Sequence, residues 1–353
     1  MIMIIALLVL LLTICVLPFV WKPAEHNLEI FLFTIGLAGT FISGSMGPEL
    51  LRTIFQNELM YFISAAVLVA GIAFKFLRTP LKRTVGRLVQ RIPLRRFIFF
   101  VIVVLGIVSS VITAIVSALV LVEIINTIPI ERKKKVQLTI IACFSIGAGA
   151  MLTPIGEPLS TIVASRLDVG FFYFIQNFSI FILPIIVGLG LLGALLSPKT
   201  VETTETANEL ALVQAVEQEI ESDESYRGIF IRTAKVFLFI IALELLGESF
   251  KPIIDTYVIG LNGHLLYWGN MASCVLDNAT LAAAEISVKM TQSQIQAILM
   301  ALLISGGMLI PGNIPNIISA GILKIKSKEW AKLGVPLGLA LMGIYYVVLF
   351  YVL

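Results

Sequence analysis

Residues 149–158, "GAMLTPIGEP", and residues 306–315, "GGMLIPGNIP", share the pattern G-x-M-L-x-P-x-x-x-P inside stretches that are otherwise apolar. Proline lacks a backbone donor and its ring clashes with the preceding helical turn, so each copy predicts a helix unwound part-way along. The apolar runs around them, 135–167 and 295–325, are too long for one upright span of ~20 residues and too short for two. In this reading Pro154, Gly156 and Pro158, and Pro311, Gly312 and Pro315, shape the breaks rather than bind anything.

Composition names the solvent. The chain is 58% hydrophobic and 13% charged, with mean hydropathy +1.01, too apolar to coat a water-soluble globule. An all-α polytopic membrane protein of the cell membrane, multi-pass, is expected. The formal charge of +3 is small, and the basic residues gather between apolar spans, where membrane topology explains them and nucleic acid does not. Cys15, Cys143 and Cys274 are scattered, form no C-x-x-C pair and predict no disulfide framework. The N-terminal run lacks a basic leader and a small-residue cleavage site, so it reads as the first span.

Further spans are expected at about 28–48 and 57–77. Lys75, Arg78, Lys82, Arg83, Arg87, Arg91, Arg95 and Arg96 follow with no acid among them, which places this loop in the cytoplasm. The apolar stretch 97–129 lies between that loop and the cluster Arg132–Lys135. Its length fits neither one span nor two and predicts a re-entrant hairpin, with its tip near "SSVITA", residues 109–114. A span at 171–196 leads into residues 197–227, an acidic polar linker with an amphipathic spacing at Leu210, Val213, Val216 and Ile220. Then the plan repeats: a span at 228–249, a hairpin within 252–288, the broken span 295–325 closed by Lys324, Lys326, Lys328 and Lys332, and a last span at 333–353.

Counting hairpins as non-crossing gives the two halves opposite orientation, which is an inverted-topology repeat with two re-entrant hairpins and two unwound transmembrane helices. The units are 1–56, the N-terminal spans; 57–196, the first repeat; 197–227, the cytoplasmic linker; and 228–353, the second repeat. Both termini are expected outside.

Carboxylates inside a bilayer are costly, so Glu123, Glu157, Glu244, Asp277 and Glu285 each call for a partner or a role. Glu157 and Asp277 stand beside the predicted breaks and are the candidate ligands of a transported cation. Unwound carbonyls with Thr153, Thr161, Asn278, Asn313 and Asn316 supply further oxygen donors, the kind hard cations prefer. Glu123 and Glu285 occupy similar places in the two hairpins and complete the candidate set. Neither motif segment holds a Lys or Arg that could clamp an organic anion, and Arg166, at the end of the first broken span, reads as an interfacial anchor. No role attaches to His26 or His264.

At these residues the chain resembles the ion transporter superfamily, which includes arsenite exporters, citrate and dicarboxylate transporters and sodium/proton antiporters of the D type. "SCVLDNATLAAAEI" (273–286) is similar to that group's Asp-Asn hairpin element, and "TPIGEP" (153–158) and "IPGNIPN" (310–316) to its unwound-helix elements. The resemblance spans roughly 97–335 and is greatest to a prokaryotic family of cation transporters. The first hairpin, "VITAIVSALVLVEI" (111–124), departs from the pattern in lacking Asp-Asn, and the paired Ser-Asn-Thr elements of dicarboxylate transporters are absent, which counts against carboxylate substrates.

The function expected is secondary active transport of a small inorganic cation, with sodium/proton exchange as the chemistry. Coupled uptake of a small anion is the alternative, with helix N-termini at the breaks facing the anion. An enzyme is not expected, for there is no H-E-x-x-H, no G-x-S-x-G and no second Asp motif to pair with Asp277. The partners implied are sodium, the proton and the lipid bilayer, with no nucleic acid and no cofactor; a homodimer stays open.

Overall fold

Proline and glycine set where the helices stop. The computed structural model describes residues 2–21, 23–24, 27–58, 60–61, 64–65, 67–69, 71–73, 75–76, 92–128, 130–198, 225–258, 260–274 and 278–352. Among these residues all the regular secondary structure is helical. The α-helices are α1 (Ile2–Val20), α2 (Leu28–Ser43), α3 (Pro48–Gln56), α4 (Leu94–Ile112), α5 (Ala114–Thr127), α6 (Arg132–Ala150) and α7 (Pro158–Leu167), then α8 (Tyr173–Leu196), α9 (Tyr226–Ile253), α10 (Gly263–Gly269), α11 (Asn278–Glu285), α12 (Gln292–Gly306), α13 (Ile314–Ile322) and α14 (Ser327–Val347). A π-turn extends α9 over Ile254–Val258 and another extends α14 over Val348–Val352.

Leu94–Ile112, Tyr173–Leu196 and Ser327–Val352 are long and apolar enough to cross a membrane, as a multi-pass membrane protein requires. Their outer faces agree. Phe100, Val104, Ile107 and Val111 are exposed along one side of α4, and Ile180, Leu183, Val187 and Leu191 along one side of α8. An apolar stripe at that spacing is matched by lipid and mismatched by water.

Several boundaries differ from the sequence expectations. The span expected at 28–48 ends at Ser43, where Gly44 turns left-handed (φ 72), and Pro48 then opens the unexpected short helix α3, with Ile54 buried and Leu51 and Phe55 exposed. The segment expected as a hairpin within 97–129 is divided at Thr113, inside the expected tip, but its first arm, α4, is by itself 19 residues long and of spanning length. The described residues between 58 and 76 are helical, while most of the basic loop and of the acidic linker lies outside the described residues.

Among the described residues two main apolar cores result, beside a small third cluster of Met60, Val67 and Ile240. The larger joins α4–α8 with α10–α14, and the smaller joins α1, α2 and α9. Small residues let the second set close up: a Cβ on Gly36 of α2 would stand 2.9 Å from the Leu245 Cβ, and one on Gly39 would stand 2.7 Å from the Ser249 Oγ. In lipid, helices gain little from mutual hydrophobicity and more from close contact, which these glycines permit.

Candidate functional site

Both broken runs stop and restart in the same manner. Glu157 is the N-cap of α7 and Asn313 the N-cap of α13. Their backbones are nearly superposable in torsion, φ −154 and ψ 161 against φ −155 and ψ 147, and a proline follows within two positions. Neither side chain caps its own helix. The shared motif aligns Glu157 with Ile314, whereas the backbone aligns it with Asn313. The one-residue offset arises because Pro158 is the first residue of α7 and Pro315 the second of α13.

Aligned by their caps, the breaks share hydrogen bonds as well. At the third helical position, the Ser160 Oγ donates to the Thr153 carbonyl (2.7 Å) and the Glu157 carbonyl (2.9 Å). At the same position in α13, the Asn316 Nδ2 donates to the Leu309 carbonyl (2.9 Å) and the Gly306 carbonyl (2.9 Å). Unwinding leaves the last carbonyls of α6 and α12 without helical partners, and buried carbonyls need one. A polar side chain one turn into the following helix serves the carbonyl four residues before the cap in both cases, Thr153 and Leu309, and Asn316 alone also reaches the last carbonyl of the preceding helix, that of Gly306. Gly156 turns its α-carbon onto the Ala150 carbonyl, and Gly312 does so on the Gly306 carbonyl, where a Cβ would come within 2.6 Å of the oxygen.

The neighbouring segments are tied in by comparable bonds. The Ser109 Oγ of α4 donates to the Ile146 carbonyl (2.9 Å), and the Ser273 Oγ, in the 3-10 turn Asn270–Cys274, donates to the Leu302 carbonyl (3.4 Å). Those two carbonyls stand at equal chain distance from the two caps. At the α4–α5 turn, the Ala114 amide donates to the Gly156 carbonyl (2.8 Å) and the Thr153 hydroxyl donates to the Ser110 carbonyl. Thr113 itself takes φ 76, a conformation that a β-branched residue holds only when its surroundings demand it. The halves also cross over: α5 packs on α13, and α11 packs on α7.

Glu157, Thr153, Thr161, Asn278, Asn313 and Asn316 are all at most 4% exposed. The Thr161 hydroxyl donates to the Pro154 carbonyl (2.7 Å), so both threonines brace the first break through their protons and keep oxygen lone pairs. The Asn313 side chain reaches α6, where its Nδ2 would be 2.6 Å from a Cβ on Gly147. Among the described residues the Asn316 Oδ1, the Asn278 Nδ2 and the Ser117 Oγ are buried without a hydrogen-bond partner. Asp277 lies outside the described residues, immediately before α11.

Other sequence candidates stand elsewhere. Glu285 closes α11; its Oε2 accepts from the Asn270 Nδ2 (3.1 Å), the Asn270 carbonyl accepts from the Ser305 Oγ of α12 (3.0 Å), and the Glu285 Oε1 is buried without a hydrogen-bond partner among the described residues. Glu123 is half-buried toward the end of α5 remote from Thr113. Glu244 lies on α9 and accepts from the Ser165 Oγ and the Asn57 Nδ2 (3.1 Å). Arg166 lies across α9 at Gly247 instead of standing alone as an interfacial anchor. Ser160 and Ser273 belong to the site and carried no signal in the sequence. Ser160 becomes visible only when α7 and α13 are aligned by their caps.

The breaks therefore gather buried carbonyl, hydroxyl and amide oxygens around one described carboxylate, with no Lys or Arg anywhere in 149–165 or 306–323. Among the described residues no three His, Cys, Asp or Glu side chains converge. A family model described as "Protein of unknown function (DUF1646)" matches residues 4–352. No curated protein matches the chain.

Proposed function

Because the chain belongs to the DUF1646 family, whose description carries no activity, its role has to be read from its own site, and we propose a secondary active transporter of a small inorganic cation, with sodium/proton exchange as the chemistry. The observation that carries this reading is the pair of matched helix breaks, buried, rich in oxygen donors and free of basic side chains. Discontinuous helices of this kind are the usual means by which membrane transporters expose backbone carbonyls and helix ends to an ion. The matching caps, the matching bonds of Ser160 and Asn316 and the crossed packing of α5 on α13 and α11 on α7 support an inverted-topology repeat of the ion transporter superfamily type. On this reading Glu157 and Asp277 exchange a proton for the cation. A proton and a cation each neutralise the same carboxylate oxygens, so the two compete for one place.

The test is flux in proteoliposomes under an imposed pH gradient, with sodium, lithium, potassium and calcium offered in turn. Sodium- or lithium-dependent proton movement is expected. A cation-independent response to a single added anion would sink the cation reading. The coupled anion transporter stays as a second reading because the N-termini of α7 and α13 carry no side-chain cap, and such ends attract negative charge. Glu157 at one of them opposes it.

A further inference from the structure

The two apolar cores meet at α7 and α11. Leu159, Val163 and Ala164 of α7 bury into the larger core, while Ile162 of α7 and Ala279 of α11 bury into the smaller one beside Ala242 and Leu246 of α9. Apolar contacts tolerate sliding, and directional polar contacts fix register. One such cluster bridges the seam. The Ser165 hydroxyl of α7 donates to the Glu244 Oε1 of α9, and the Asn57 Nδ2 donates both to that oxygen (3.1 Å) and to the Ser165 Oγ (2.7 Å). One residue on, the Arg166 Nη2 donates to the Glu244 carbonyl (3.4 Å), and its guanidinium fills the place a side chain at position 247 would need, which only glycine leaves open. Glu248, the other acid on this face of α9, is paired with Lys251 (3.4 Å). Beside the cluster, Thr161, Ile162, Ser165, Arg166, Ile240 and Glu244 line a small cleft of ≈ 10 Å³, about the room of one water molecule.

We propose that Glu244 is a positioning residue, the centre of a polar latch that holds α7, and through it the break at 151–157, in one register against α9. Thr161 lies one turn before Ser165 on the same helix, so a displacement of α7 moves the brace of the first break with it. The latch stands on the geometry of the seam alone; its effect on ion movement rests on the transporter reading above.

The experiment measures distance between nitroxides at Gly170→Cys, just beyond α7, and Gly260→Cys, just beyond α9, in full-length protein in nanodiscs with Cys15, Cys143 and Cys274 replaced by serine. Both glycines have open space for a side chain. A single narrow distance is expected for the parent and for Glu244→Gln, which keeps an oxygen acceptor of the same shape. Glu244→Ala, which removes the acceptor, and Gly247→Ala, which expels Arg166, are expected to broaden or split the distribution. Parent-like distributions in both alanine variants overturn the latch. Should neither fold, Ser165→Ala, which deletes one hydroxyl, decides in the same way. Proton flux measured on the same samples is expected to change in rate with the cation concentration for half-maximal flux unaltered. Because the distances do not depend on any flux, failure of the latch and failure of the transporter reading are separately visible.

Discussion

Asn316 and Ser160 do the same work with different chemistry, and that makes them a test of the matched breaks. Asn316→Ala leaves the Gly306 and Leu309 carbonyls buried without their donor, a loss of roughly 2–4 kcal/mol, while Ser160→Ala removes one hydroxyl and is expected to cost about 1–2 kcal/mol. Denaturation midpoints of the purified variants in detergent check the order. Equal, negligible effects would mean that water or a neighbouring group replaces both donors. Glu157 and Asn313 are the paired caps, one acidic and one neutral. Glu157→Gln is nearly isosteric and is expected to leave the protein folded with cation-dependent proton flux lost. Adding Asn313→Asp returns one carboxylate at the equivalent cap, and partial recovery in the double variant is expected in the proteoliposome assay. Undiminished flux in Glu157→Gln would make that carboxylate structural.

At the level of elements, each break depends on a glycine pressed onto a carbonyl of the helix it has just left. A methyl group on Gly156 would overlap the Ala150 carbonyl, and one on Gly312 would lie 2.6 Å from both the Gly306 and Ser273 carbonyls. Backbone cannot retreat as a flexible side chain can, so Gly156→Ala and Gly312→Ala are expected to destabilise by roughly 1–3 kcal/mol or more through overpacking. Gly170→Ala and Gly188→Ala, which meet nothing, serve as neutral controls. Fluorescence size-exclusion after graded heating separates the pairs, and equal profiles would show that the break relaxes without cost. The same logic applies between α2 and α9, where Gly36 and Gly39 set the spacing.

For the whole molecule, we expect from the basic clusters, with hairpins counted as non-crossing, that residues 75–96, 197–227 and 324–332 face the cytoplasm and both termini lie outside. Single cysteines at position 85 and at Lys328, in a background without Cys15, Cys143 and Cys274, are expected to resist a membrane-impermeant maleimide in intact cells and to react after permeabilisation. Labelling at position 85 from outside would overturn the inverted arrangement. On one side of the molecule Arg132, at the start of α6, bonds the Leu323 and Lys324 carbonyls and pairs with Glu329. Elsewhere Gln292, at the start of α12, accepts from the Tyr173 hydroxyl (2.8 Å). Each broken run is thus fastened at its start to the opposite half of the chain.

Proline and apolar length are local properties, and what depended on them was legible in the amino-acid sequence. The apolar excess specified helices in lipid, and the two proline motifs placed the interruptions at 151–157 and 307–313, because a missing donor disrupts a helix wherever the helix lies. Relations between segments were not legible. The motif paired Glu157 with Ile314, and only the backbone, which counts from the caps, pairs it with Asn313. That Glu285 meets Asn270 through one oxygen could not be read from its segment, and Arg166 looked like an interfacial anchor until α9 offered it the gap at Gly247. Ser160 carried no signal of its own, since a serine two residues after a proline is unremarked until its hydroxyl meets a carbonyl that unwinding has left bare. Sequence determines where a chain in lipid must stop being helical; which buried oxygen then faces which donor is decided by packing between segments far apart in the chain, and no single segment contains that information.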